Sequence, residues 1–110
     1  MILKNVYFRE INIPGGTWEE FKNELGAALD ILSNATEESY ERMNIAAFTD
    51  WATDLHWIKE ENIIIKVNGP VTKIVEEVMN DIVNFWAKDA ERCIAGGKNR
   101  NFEFILVDVK

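Results

Sequence analysis

NIIIKVNGP, residues 62–70, is the stretch whose reading decides the fold. Ile63 to Val67 is an apolar, β-branched run broken only by Lys66, the composition expected of a strand buried on both faces of a sheet. Asn68, Gly69 and Pro70 stop it. Immediately downstream the period changes. Ile74, Val78, Ile82, Phe85 and Trp86 recur at helical spacing, which predicts a long amphipathic helix over residues 71–90, with Cys93 and Ile94 trailing towards Gly96 and Gly97. Phe102 to Val109 is again a continuous apolar strand. Strand, long helix and strand make a βαβ unit, whose crossover is expected to be right-handed and whose strands are expected to be parallel.

Upstream, Ile2, Leu3, Val6, Tyr7 and Phe8 form a β-prone run that the Pro14-Gly15-Gly16 cluster ends, and this first strand is expected to join the same sheet. Thr17 followed by Glu20 is a capping box, in which hydroxyl and carboxylate satisfy each other's free amides. Trp18, Phe21, Leu25, Ala28 and Leu32 then predict an amphipathic helix over residues 17–33, broken by Ser33, Asn34, Ala35 and Thr36. Ile45, Phe48, Ala52 and Leu55 fall on one face of a further helix, for which Asn44 is a suitable N-cap. Three strands with helices between them define a small α/β protein, a three-stranded parallel sheet covered by helices, with no internal repeat.

The chain's 110 residues have room for one core, so residues 1–110 are read as a single domain. At 47% hydrophobic and 28% charged the balance is that of an ordinary globular protein. No apolar run approaches the roughly 20 residues needed to span a bilayer. Lys4, Arg9 and Glu10 interrupt the start, which lacks the pattern of a secretory signal, so a cytoplasmic location is expected. The lone Cys93 cannot form an intramolecular disulfide and no Cys/His cluster has metal-ligand spacing, so neither metal nor cofactor is expected.

Charge is more informative. The net charge is −7, which argues against nucleic acid as a ligand. Residues 17–61 hold 11 acidic and 3 basic side chains, a balance of −8, so the remainder of the chain carries +1. Solvated helix faces are often acidic, and that reading accounts for much of the excess. The alternative is an electrostatic lure for a basic partner.

Signals for catalysis are weak. Phosphate-binding loop, nucleophile elbow and zinc-protease patterns are all missing, and Gly96-Gly97-Lys98 reads as a helix-to-strand turn. His56, the only histidine, stands between Leu55 and Trp57 and is expected to border a helix end, while Cys93 is expected in the core. Asp50 and Asp54 are four residues apart on one helix. Carboxylates acting on opposite sides of a bond usually come from elements that face each other across a cleft, whereas these share a convex surface suited to presenting charge. With Ala46, Thr49, Thr53 and Trp57 they are expected to form a stripe opposite the Ile45/Phe48/Ala52/Leu55 face.

The segment NIAAFTDWATDLHWI, Asn44 to Ile58, resembles the central motif of the barstar family of ribonuclease inhibitors: an Asn opens a helix, followed by an Ala-Phe/Leu-x-Asp core and an Asp-Leu-x-Trp-Ile exit. A weaker likeness extends over most of the chain, through the Trp18/Phe21/Leu25 helix, the Ile63–Val67 strand, Asn84-Phe85-Trp86 and Phe104-Ile105-Leu106. The resemblance implies a three-stranded parallel sheet covered by helices, with an inhibitory surface formed by the acidic helix and the loop before it. Asp50 matches the principal inhibitory aspartate, Tyr40 a tyrosine of the binding loop, and Thr53 a threonine on the same helix. Other positions depart from the pattern. Ala46 stands where the family's namesake has a second interface aspartate, Thr49 where it has a contacting tryptophan, Asn84 where it has a glutamate, and Arg42 where it has a loop glycine. Glu41 and Asp54 are expected to supply charge from new places.

The function implied is a cytoplasmic inhibitor, not an enzyme, that binds a basic nuclease toxin one-to-one, an RNase before a DNase, and occludes its active site. Its expected partner surface is Tyr40, Glu41, Ala46, Thr49, Asp50, Thr53, Asp54 and Asn84. The competing reading is an acidic interaction or regulatory module of the same fold with a non-nuclease partner, which the departures at Ala46 and Asn84 favour.

Overall fold

The computed structural model describes residues 6–55, 57–60, 62–92 and 101–107. The elements run β1 (Val6–Asn12), α1 (Trp18–Ala28), α2 (Ile31–Asn34), α3 (Glu37–Glu41), α4 (Ile45–Asp54), β2 (Asn62–Asn68), α5 (Lys73–Arg92) and β3 (Asn101–Val107). The strands form one parallel sheet in the order β1-β2-β3, with Tyr7 opposite Ile63 and Ile63 opposite Phe102. This is the α/β architecture expected from the sequence, with β2 at its centre.

The β2 strand is not buried on both faces. Ile63, Ile65 and Val67 are buried and the alternating Ile64 and Lys66 are only half-buried. With strand order 1-2-3, right-handed crossovers bring every helix to one side, so a single face of the sheet is covered. On the other face lie Phe8, Ile64 and Ile105, together with a Lys66–Glu10 ion pair at 3.2 Å. A run of β-branched residues reports strand propensity but does not tell a two-faced burial from a one-faced one.

Two long segments differ from their periodicity. Residues 17–33 are not one helix: α1 ends at Ala28, Asp30 takes a left-handed backbone with φ 59°, and α2 begins at Ile31. The break buries Leu29 and Ile31 and leaves Leu32, counted in the helical stripe, exposed. The Thr17 capping box is present, with the Thr17 hydroxyl accepting the Glu20 amide at 3.1 Å and the Glu20 carboxylate accepting the Thr17 amide at 3.2 Å. In α5 the buried face is Val75, Val78, Met79, Ile82 and Trp86, whereas Ile74 and Phe85 are exposed. Phe85 is turned roughly 100° from Trp86 and falls at the edge of that face.

An aromatic chain joins the layers. Phe48 of α4 meets Trp18 edge-on at 5.4 Å, Phe21 lies 6.1 Å from Phe104 of β3, Phe104 lies 5.0 Å from Phe102, and Phe102 lies 6.0 Å from Trp86 of α5. Trp86 also donates its indole N–H to the Ala52 carbonyl at 3.0 Å, tying α5 to α4. The expectations for Ile2 and Leu3, for His56, for Cys93 and the Gly96-Gly97 turn, and for the end of the last strand at Val109 lie outside the described residues. Among the described residues, no helix is long and apolar enough to cross a membrane.

Candidate functional site

The acidic helix is built as its sequence requires. Asn44 caps α4 by accepting the Ala47 amide on its side-chain oxygen at 2.8 Å. Phe48 and Ala52 are fully buried, and Leu55 is buried just past the last turn. Leu55 carries φ 43°, a left-handed backbone that costs a non-glycine residue roughly 1–2 kcal/mol. Burial of its side chain offsets that cost. The helix is therefore held on one side by aromatic packing and turned sharply at its end.

Its other side presents Ala46, Asp50 and Asp54, all exposed and spaced one turn apart. Asp50 and Asp54 flank Trp51, and the three line a shallow depression of about 220 Å³. Trp51 is half-buried against Trp57, with ring centroids 6.0 Å apart. Trp51 is not among the partner residues expected from the sequence. Its spacing from Asp50 and Asp54 was the available signal, because an aromatic ring between two carboxylates offers a cation both a π face and charge. Thr49 and Thr53 are half-buried beside this stripe; their hydroxyls donate back to the carbonyls of Ile45 at 2.8 Å and Asp50 at 3.0 Å, leaving oxygen lone pairs outward.

Three expectations are corrected. Trp57 does not extend the stripe. It lies beyond α4, and its indole N–H donates to the Leu29 carbonyl at 2.8 Å, closing the end of α1. Tyr40 is not a surface contact: only 5% of it is exposed, and its hydroxyl donates to the Lys22 carbonyl. Burial pushes its phenol up to about 12. The tyrosine reaches into the core because Gly26, which has no side chain to block it, leaves room against α1. Asn84 is exposed on α5, but Trp86 is the residue that turns towards α4, and Asn84 lies roughly 200° around the helix from it. The structure thus does not bring Asn84 to the Asp50/Asp54 stripe.

Glu41 is exposed at the end of α3, at the mouth of a cleft lined also by Trp18, Lys22, Tyr40 and Met43. Lys22 is the missed residue here. It is 9% exposed, its ammonium donates to the Glu41 carbonyl at 3.4 Å, and it stands 5.1 Å from the centre of the Tyr40 ring. A cation at the C-terminal carbonyls of α3 complements the helix dipole, so Lys22 and Tyr40 together clamp the segment before α4 onto α1. Arg42, at the position of the family's loop glycine, has a right-handed backbone and pairs with Glu38 at 2.9 Å. No glycine is needed for this connection.

Among the described residues no group of His, Cys, Asp and Glu could hold a metal ion. Comparison with family models, curated proteins and solved structures finds no match.

Proposed function

We propose that the chain is a cytoplasmic inhibitor of a basic nuclease, a ribonuclease toxin in the first instance, and that α4 is the element that occludes the active site. The observation that carries this reading is the pairing of exposed Asp50 and Asp54 on one side of α4 with complete burial of Phe48 and Ala52 on the other. A nuclease cleft is positive because it binds a polyanion. A rigid helix bearing two carboxylates one turn apart offers that cleft a substitute for phosphate without the entropy cost of ordering a loop. The likeness of Asn44–Ile58 to the barstar motif supports the same surface, and the net charge of −7 favours rapid encounter with a cationic partner. Asp50 is the principal contact, Asp54, Glu41 and the Thr49 and Thr53 hydroxyls surround it, and Tyr40 and Lys22 position the preceding segment. No cofactor is required for this mode of action.

The test is capture from the cell that makes the protein. The reading expects a one-to-one complex with a small basic nuclease that is silent in the complex and active once separated. A second reading, an acidic module for a non-nuclease partner, is favoured by the burial of Tyr40 and by alanine at position 46. A stoichiometric partner without nuclease activity, released by Asp50→Ala, would establish it instead.

A further inference from the structure

Among the described residues, β3 is an edge strand with no neighbour on its outer side. The Val107 carbonyl accepts the Gly69 amide at 3.1 Å, so Val107 turns its backbone towards β2. Strand residues alternate, and Phe102, Phe104 and Leu106 therefore turn their N–H and C=O groups away from the sheet. Among the described residues no hydrogen bond reaches those groups. Natural edges are usually blunted by lysine, proline or a bulge. The β3 segment, NFEFILV, has neither lysine nor proline, and its Ile105 and Leu106 are 40% and 54% exposed.

Beside this edge, a groove of about 220 Å³ runs between β3 and α5, floored by Met79, Val83, Phe104 and Leu106. The charged residues at this groove are Glu76 and Glu103, both acidic, and strand alternation turns the Glu103 side chain to the opposite face of the sheet. An occupant must then satisfy three conditions: extended backbone to pair with the edge, apolar side chains towards the groove, and basic side chains towards Glu103 on the opposite face of the sheet. We propose that β3 is a docking edge for an extended segment of a partner protein in which apolar and basic residues alternate, added to the sheet as a fourth strand. A second copy of this chain fits less well, because it would bring another chain of net charge −7. The surface uses no residue of α3 or α4, so it stands or falls separately from the inhibitory helix.

The experiment is a titration of isotopically labelled protein with the peptide acetyl-Lys-Val-Lys-Val-Lys-Val-Lys-amide, against the same peptide with glutamate in place of lysine. The expected result is amide shifts centred on Phe102, Phe104 and Leu106, with at least tenfold weaker binding of the acidic peptide. Leu106→Pro removes an outward N–H without breaking a β2–β3 hydrogen bond, so it should preserve the fold and weaken the basic peptide at least fivefold. Glu103→Lys, at an exposed position, should reverse the charge preference and keeps the test decisive if the proline variant misfolds. Absence of shifts at β3 up to about 1 mM peptide, or equal affinity for both peptides, overturns the proposal. So does a concentration-dependent dimer whose β3 amides are already protected, which would assign the edge to a second copy.

Discussion

Replacing Phe48 with alanine tests whether α4 is held from behind while its front is free. Phe48 is fully buried, with Trp18 edge-on at 5.4 Å and Phe21 at 6.5 Å. Truncating a buried phenylalanine to alanine typically costs about 3–5 kcal/mol through lost transfer energy and an unfilled cavity. For a domain of this size, where each kcal/mol moves the midpoint by roughly 4 °C, the melting temperature should fall by about 12–20 °C. Asp50 lies two residues further along the same helix and is exposed, so Asp50→Ala should stay within about 0.5 kcal/mol of the parent. Thr49→Ala, which removes a hydroxyl bonded to the Ile45 carbonyl of its own helix, should also have a small effect. The assay is thermal and urea unfolding followed by circular dichroism, with unchanged m-values as the control for the denatured state. Comparable losses for Phe48→Ala and Asp50→Ala, or a loss below about 1 kcal/mol for Phe48→Ala, would refute the assignment of the helix faces.

Gly26→Ala offers a second check, because helix propensity alone would stabilise α1 by about 1 kcal/mol, yet the added methyl would collide with the Tyr40 ring and hydroxyl. Net destabilisation of about 1–3 kcal/mol is expected in chemical denaturation, and a net gain would show that Tyr40 is not seated against α1. Alkaline pH provides a third. Burial raises the phenols of both Tyr7 and Tyr40, the latter to about 12, so the folded state holds these protons more tightly than the unfolded chain. Their contribution is complete below pH 10 and should be lost as pH rises from 10 through about 12, seen as a falling urea midpoint with phenolate absorbance appearing late. Tyrosines that titrate near pH 10 in the folded protein would contradict the buried placement.

The chain shows in its sequence those features that local chemistry determines. The capping box at Thr17, the Asn44 cap and the Phe48/Ala52/Leu55 face each depend on residues within one or two turns, and each is present. Burial of β2 on one face and the break at Asp30 depend on what packs from elsewhere, and strand or helix period does not carry that information. The short α3 was hidden for the same reason: it is only five residues long and is held by Tyr40 and Lys22 reaching α1. In the site, Asp50 and Asp54 were legible because an i, i+4 spacing places carboxylates on one side. Tyr40 was not, since a tyrosine in an acidic, polar stretch reads as exposed until the space above Gly26 is known.

If α4 occludes a basic nuclease, Asp50 is its principal contact. The most direct test is the lifetime of the captured complex, measured by stopped-flow and competition for the parent, Asp50→Ala and Glu38→Ala proteins. Loss of a carboxylate that becomes buried against a cation should cost about 2–5 kcal/mol and appear as faster dissociation, whereas Glu38, exposed on α3, should matter little. Added salt should slow association of the parent but leave most of the Asp50 effect, because exposed charges are screened within about 8–10 Å and buried pairs are not. The lifetime of the complex should be shortened at least thirtyfold by Asp50→Ala and hardly at all by Glu38→Ala. An Asp50→Ala complex as long-lived as the parent's would remove α4 from the interface and contradict the mechanism.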